Sequence, residues 1–303
     1  MSTFTVNGVA GEVGLGIVKE LLIRGVSPAD VIAIVHDVPP LGGSVDEVTD
    51  LGVQVRQADL TKPDGLADAF AGTTQFVMVP YVGFENFEPN TDDNLVRNRN
   101  ALNAAKAAGA TWVGYISGLR AQQENADIFP AHNTTENLIQ SMFPGSFTIM
   151  RAGLQSERYT TGLFTLGLDG SEPQVAGLAP DGPVSTIARS DLASAAGQLF
   201  VTHPHVGQTL ELVAEQTFTE NDFVKFASDQ TGDNVTFREV TEAEYRTLVG
   251  TIETNDVEAA LALELACRDG RLKSDSKDLR TVLGRAPLTT PEALKDIIKA
   301  ING

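Results

Sequence analysis

A glycine-rich turn near the amino terminus constrains the fold of this chain more than any other feature. Gly8, Gly11 and Gly14 follow the apolar run 4–6 and lead directly into the helical segment 15–22. This order predicts a strand, a tight turn and a helix. In such a turn the first glycine permits a backbone conformation that other residues avoid. The second lets a phosphate approach the main chain, and the third lets the helix pack closely on the strand.

The start of the predicted helix suits a bound anion. Its first backbone N–H groups have no partner within the helix, and they lie at the positive end of the helix dipole. We therefore expect the turn to bind the diphosphate of NAD or NADP. Taken by itself, the motif also fits an ordinary glycine-rich turn. The residues predicted to contact the cofactor here are Gly8, Ala10, Gly11, Glu12, Val13 and Gly14.

Apolar strands and helical segments alternate after this turn. Strands are predicted at 31–35, 53–55, 75–80, 111–117 and 147–151, and helices at 64–70, 94–108 and 132–142. Nearly continuous apolar strands between helices indicate a parallel sheet that is covered on both faces. The sequence therefore predicts an α/β fold with a Rossmann-like, doubly wound parallel sheet.

The alternation loosens beyond Arg151, where glycine and proline are frequent between 168 and 183. Helices are predicted at 189–201, 221–231, 242–249 and 256–268, with a further strand at 209–214. We expect residues 1–151 to form the NAD(P)-binding domain. Residues 152–303 should complete the sheet and form a smaller, mostly helical C-terminal lobe that covers the substrate.

The composition argues against several classes of partner. Forty acidic residues against 22 Lys plus Arg give a net charge of −18, which repels nucleic acid and anionic membranes. The chain shows neither a leader peptide nor an apolar run of about 18 residues, and its single cysteine, Cys267, cannot form an internal disulfide. We expect a cytoplasmic protein with a small-molecule substrate, and we leave a homodimer open.

Two other chemistries lack the residues they need. His203 and His205 flank a proline with only Glu211 as an acidic neighbour, so no metal site is expected. Ser117 does not lie in a Gly-x-Ser-x-Gly segment, which argues against a serine hydrolase.

The ends of the predicted strands indicate further cofactor contacts, because ligands of such folds lie beyond the carboxyl ends of the strands. His36 and Asp37 follow the second strand, and segment 36–51 holds four acidic residues but no Lys or Arg. This favours NAD over NADP, although His36 or Arg56 is able to contact a 2′-phosphate. The other predicted cofactor contacts are Asp59, Leu60, Val79, Pro80 and Tyr81. Asp59 is alternatively a turn cap.

These features together resemble the NmrA-like family of atypical short-chain dehydrogenases/reductases. The resemblance is carried by the glycine turn and by segments 53–60, 103–109, 115–117, 151–159 and 277–284. Within the family the chain looks most like bacterial NAD(P)H:quinone oxidoreductases and triphenylmethane reductases. This implies an oxidoreductase that transfers hydride from reduced NAD or NADP to a quinone-like or conjugated small molecule. The alternative is a redox sensor that binds NAD(P) without turnover, as some members do.

The catalytic helix departs from the pattern of typical short-chain dehydrogenases. Their Tyr-x-x-x-Lys pair is absent from segment 132–137, where His132 and Glu136 share one helix face. Close relatives often carry lysine where this chain has Asn137. Without the pair, an alkoxide formed from a simple ketone has no obvious proton donor, which favours acceptors that are already electron-poor.

The resemblance also implies the residues around the nicotinamide. His132 and Ser117 are the catalytic candidates, and His132 is alternatively a helix-start residue that only packs or caps. Arg151 is alternatively a buried ion-pair partner. The substrate contacts implied are Tyr81, Gly118, Leu119, Leu154 and Tyr159.

Overall fold

The computed structural model of the protein describes residues 2–35, 45–80, 92–160, 164–165, 173–251 and 257–301. His36, Asp37 and Tyr81, which the sequence predicts as cofactor contacts, lie outside the described residues, as does the possible substrate contact of Tyr81.

The secondary structure confirms the predicted alternation of strands and helices. The strands are β1 Phe4–Asn7, β2 Val31–Val35, β3 Gln54–Gln57, β4 Gln75–Met78, β5 Trp112–Gly118, β6 Phe147–Ala152, β7 Leu154–Gln155, β8 Phe164–Thr165, β9 Gln174–Gly177, β10 Val184–Ile187, β11 Gln208–Leu212, β12 Thr217–Phe218 and β13 Thr236–Glu239. The helices are α1 Glu12–Ile23, α2 Val45–Asp50, α3 Leu66–Ala69, α4 Asp92–Ala107, α5 Pro130–Met142, α6 Arg189–Thr202, α7 Glu220–Thr231, α8 Glu242–Gly250, α9 Val257–Arg268, α10 Asp278–Leu283 and α11 Thr290–Ile301.

Seven of the described strands form one parallel sheet in the order β3-β2-β1-β4-β5-β6-β11. In the register of the central strands, Val6 of β1 lies between Ala33 of β2 and Val77 of β4. The strand order reverses between β1 and β4, so a crevice opens at their carboxyl ends. The glycine turn follows β1 and therefore lies at this crevice.

Helices cover both faces of the sheet, as the sequence predicts for a doubly wound fold. On one face, Ile17 of α1 and Phe200 of α6 belong to a single buried cluster with the sheet. On the other face, Leu102 of α4 and Ile139 of α5 pack in a second cluster. Strand β2 reads Val-Ile-Ala-Ile-Val and is buried at every position, because both of its faces meet helices.

The rest of the chain forms a smaller lobe with its own buried clusters. It holds α7, α8, α9 and α11, and its described strands form two three-stranded sheets, β12-β10-β7 and β13-β9-β8. These short strands were not predicted, because runs of two to four residues carry no usable periodicity. Helix α6 and strand β11 return to the large sheet. The division at residue 151 therefore stays a prediction about organisation.

Candidate functional site

The glycine turn has the geometry that its spacing predicts. Gly8 has a φ of +67°, in the left-handed region that favours glycine, and its carbonyl accepts a hydrogen bond from the Gly11 N–H at 3.1 Å. A Cβ atom placed on Gly14 would lie 2.3 Å from the Gly8 carbonyl oxygen. Helix α1 can therefore approach the turn only because position 14 has no side chain.

The start of α1 is open to a ligand. Gly11 is the N-cap residue and has no side chain that could cap the helix. No side chain caps the first N–H groups of α1, which therefore stay available as donors. Gly11 and Glu12 are exposed, Ala10 is half-buried, and Val13 and Gly14 are buried beneath them. A Cβ on Gly11 would meet only the Gly8 oxygen, at 3.5 Å. Free donors beneath open space are what a diphosphate requires.

Asn7 holds the two sides of the crevice together. Its Nδ2 donates to the Val79 carbonyl and its Oδ1 accepts from the Val79 N–H, both at 2.8 Å. This reciprocal pair fixes the end of β1 against the segment that follows β4. Val79 and Pro80 therefore lie beside the glycine turn, and both are half-buried. Asn7 was missed from the sequence, where its position before Gly8 was the available signal.

Arg189 brings a positive charge to the same place. Its Nη1 lies 3.0 Å from Glu12 Oε1, and its Nε donates to Gln155 Oε1 at 2.7 Å. One turn further along each helix, a Cβ on Gly16 would lie 2.7 Å from the Ala193 Cβ. These two contacts show that α1 and α6 run side by side in the same direction, so both helices begin at the crevice.

The start of α6 is capped by a buried carboxylate. Glu157 Oε1 accepts from the Arg189 backbone N–H at 2.9 Å, and burial raises the pKa of Glu157 despite that bond. Sequence analysis missed Arg189 because its partners are distant along the chain.

Asp59 caps a turn. Its Oδ1 accepts from the N–H and the hydroxyl of Thr61, and its Oδ2 lies 2.8 Å from Lys62 Nζ. The hydrogen bonds from Lys62 and Thr61 hold the pKa of Asp59 well below its usual value. Asp59 therefore has the turn-capping role that the sequence offered as an alternative to a cofactor contact. Leu60 is buried beside it, and its carbonyl accepts from Asn100 Nδ2 at 2.9 Å. Their contacts with adenine stay predictions.

A buried ion pair lies under the carboxyl ends of β5 and β6. Glu136 accepts from Arg151 Nη2 at 2.7 Å and from Arg151 Nε at 3.0 Å, and the exposed fractions of the two side chains are 0% and 7%. The Ser117 hydroxyl donates to Glu136 Oε1 at 2.5 Å. Arg151 is therefore an ion-pair partner, as the sequence alternative allowed. Ser117 is buried and its hydroxyl proton points to Glu136, and its catalytic role stays a prediction.

His132 lies at the first turn of α5 and faces β5. Its Nδ1 is 2.8 Å from the Tyr115 hydroxyl, and its ring also packs edge-on against Phe129. Burial lowers the pKa of His132 to about 4, so the ring is neutral at pH 7. A Cβ on Gly118 would lie 3.2 Å from His132 Cδ2 and 2.8 Å from the Phe129 ring. The absence of a side chain at Gly118 thus leaves room for the histidine.

Two of the predicted substrate contacts, Tyr159 and Leu119, have buried side chains. Tyr159 is buried in the lobe, where its ring stacks on Phe223 at 5.3 Å and meets Phe218 edge-on at 5.2 Å. Leu119 is 2% exposed, so its side chain belongs to the interior. Their contacts with a substrate stay predictions. Leu154 is half-buried and packs against a hydrophobic cluster of the lobe, and its contact with the substrate also stays a prediction.

In the described ranges, no cluster of three or more His, Cys, Asp or Glu side chains is arranged to hold a metal ion. His203 instead packs against Trp112, and His205 contacts Gln208. Of the helices that the structure describes, none has the length and apolarity needed to cross a membrane.

A family model described as NAD(P)H-binding matches residues 8–200 of the chain. The protein belongs to this NAD(P)H-binding family. The matched range begins at the first glycine of the turn and includes Asn7's partner Val79, the buried ion pair and Arg189. The membership confirms the nucleotide-binding prediction made from the glycine spacing.

Two results for a quinone oxidoreductase of Escherichia coli, one from sequence and one from structure, show similarity over almost the whole chain. Quinone oxidoreductase 2 of Escherichia coli is 24% identical over 299 residues, which are 98% of this chain and 99% of that protein. The structure of the E. coli NADPH-dependent quinone oxidoreductase with NADPH has a TM-score of 0.82 at 23% identity, covering 99% of this chain and 100% of that one.

Two further structures share the fold. Citrobacter sp. triphenylmethane reductase with NADP(H) has a TM-score of 0.80 at 23% identity, covering 97% and 99% of the two chains. The negative transcriptional regulator NmrA has a TM-score of 0.70 at 16% identity, covering 100% and 97%. These similarities confirm the Rossmann-like fold and the NmrA-like resemblance.

Proposed function

We propose that this protein is an NAD(P)H-dependent reductase that transfers hydride to a quinone-like or conjugated electrophilic small molecule. The observation that carries the proposal is the combination of an open diphosphate turn with a neutral histidine close to the same sheet edge. The names of the E. coli and Citrobacter relatives, a quinone oxidoreductase and a dye reductase, support it.

The residues around the crevice divide into two groups. The N–H groups of Glu12 and Val13 and the Arg189 guanidinium would hold the diphosphate, and Val79 and Pro80 would line the path to the nicotinamide. When bound, the reduced nicotinamide supplies a hydride to an electrophilic carbon or carbonyl. Residues 152–303 would cover the acceptor, with Leu154 at its edge.

The chemistry around His132 favours an acceptor that needs little proton donation. Because the pKa of His132 is about 4, the protonated ring that could act as an acid is scarce at pH 7. The N–H of the neutral ring can still donate a hydrogen bond to an oxygen that gains charge. A quinone delocalises the charge, and water supplies the proton that completes the hydroquinone. A cationic dye needs no proton, since hydride cancels its charge.

Turnover provides the test of this proposal. We expect saturable oxidation of NADH or NADPH that depends on the acceptor when the protein is assayed with a panel of quinones, triphenylmethane dyes and enones. Tight binding of the nucleotide without acceptor-dependent oxidation would instead support the regulator alternative, for which NmrA is the structural precedent.

The choice between NAD and NADP stays a prediction. The comparisons do not support the preference for NAD, because the E. coli and Citrobacter structures hold NADPH or NADP(H). The contacts of Arg56 favour NAD, because this side chain is held away from a 2′-phosphate by other hydrogen bonds. Its Nη1 donates to three backbone carbonyls at the end of α3, those of Asp68, Ala69 and Ala71. We expect NADPH to bind no tighter than NADH in a fluorescence titration, and a preference for NADPH of about tenfold, worth about 1.4 kcal/mol, would show the prediction to be wrong.

A cytoplasmic location and a homodimer also stay predictions. Size-exclusion chromatography with light scattering would determine the oligomeric state.

A further inference from the structure

A hydrogen bond joins His132, on α5, to Tyr115, on β5. The Tyr115 phenolic oxygen lies 2.8 Å from His132 Nδ1. Among the described residues, His132 is the hydrogen-bond partner of this phenol.

The phenol is shielded from water, since Tyr115 is 1% exposed. In such surroundings a polar hydrogen needs a partner within the protein. The direction of the hydrogen bond can therefore be deduced from the donors and acceptors available.

The buried phenol sets that direction. If His132 Nδ1 carried the proton and donated it to Tyr115, the phenolic proton would have no acceptor among the described residues. Tyr115 therefore directs its proton to His132 Nδ1.

We propose that Tyr115 is a positioning residue whose phenolic hydroxyl holds His132 in the tautomer with its proton on Nε2. Nε2 has no hydrogen-bond partner in the described part of the chain, and Cδ2, the carbon next to it, lies close to Gly118 at the end of β5. This N–H is thereby offered to an acceptor oxygen.

The inference rests on the proposed function for its catalytic consequence, but the tautomer itself does not. Burial of the ring, which lowers the pKa of His132, is consistent with a neutral imidazole as donor. Its nearest charged neighbour along α5, Glu136, is neutralised by Arg151, so the Tyr115 hydroxyl decides which ring nitrogen carries the proton.

Nuclear magnetic resonance tests the tautomer without cofactor or acceptor. The protein has four histidines, so a long-range 1H–15N spectrum of histidine-labelled protein at pH 7 is simple, and His132→Gln identifies the signal of His132. We expect an unprotonated Nδ1 and a protonated Nε2. A protonated Nδ1 in the wild-type protein would overturn the proposal.

Tyr115→Phe removes the phenolic hydroxyl and keeps the ring. We expect its His132 signal to lose the hydrogen-bonded Nδ1 shift, and kcat with a quinone to fall about tenfold while the Kd for NAD(P)H stays unchanged. Tyr245→Phe, which removes the hydroxyl of a buried tyrosine in the lobe core, should leave kcat unchanged. If Tyr115→Phe does not fold, the spectrum of the wild-type protein still decides the tautomer.

The possible failures are distinguishable. If the wild-type protein turns over no acceptor, the proposed function fails, while the tautomer is still decided by the spectrum. If turnover is normal and Tyr115→Phe changes kcat by less than about twofold, the positioning role fails alone.

Discussion

Replacing Glu136 with glutamine is expected to lower the free energy of unfolding by about 3–5 kcal/mol, because the change leaves the Arg151 charge buried without its partner. Both side chains are almost completely buried, and Arg151 reaches Glu136 through two hydrogen bonds. Ser117 would lose its carboxylate acceptor as well. Urea unfolding followed by circular dichroism measures the effect.

Two controls isolate the buried charge. Glu47→Gln removes a partner of Lys19 in an exposed ion pair and should cost less than about 1 kcal/mol. The double variant Glu136→Leu with Arg151→Leu removes both charges and should be less destabilised than Glu136→Gln alone. A single variant that stays within about 1 kcal/mol of the wild type would show that the pair is not isolated from water as described.

Gly14→Ala is expected to destabilise the protein by about 1–3 kcal/mol or more, because a Cβ there would lie 2.3 Å from the Gly8 carbonyl oxygen. The obstacle is backbone, so it cannot rotate away as a side chain would. The turn must then shift, and nucleotide affinity should fall together with stability. Gly11→Ala is the matched control: its φ of −93° suits any residue, and its Cβ would meet only one atom, at 3.5 Å. A wild-type melting temperature for Gly14→Ala would contradict the close packing of α1 on the turn.

Local sequence patterns were sufficient where burial is continuous. The bounds predicted for β2 from the apolar run 31–35 are those of the structure. A short, unbroken apolar segment between turns is typical of a strand that helices cover on both faces. The helix predicted at 64–70 is shorter in the structure, Leu66–Ala69. Its N-cap, Gly65, has a φ of +82°, which ends any helix that would begin earlier.

The site was predictable only in part, because its remaining contacts are long-range. The glycine spacing and the placement of His132 on the helix after β5 could be inferred from the sequence alone. The ion pair between Glu12 and Arg189 joins residues that only the packing of α1 on α6 brings together. Likewise, nothing near Tyr159 indicated that Phe218 and Phe223 would bury its ring.

The most direct test of the account is the affinity of Gly11→Leu for NADH and NADPH, measured by fluorescence titration beside the wild-type protein. Position 11 is exposed at the start of α1, so the variant should keep the wild-type melting temperature while its side chain fills the space above the free N–H groups. We expect affinity for both nucleotides to fall by about tenfold or more. Unchanged affinity in a folded Gly11→Leu variant would contradict a diphosphate bound at this turn.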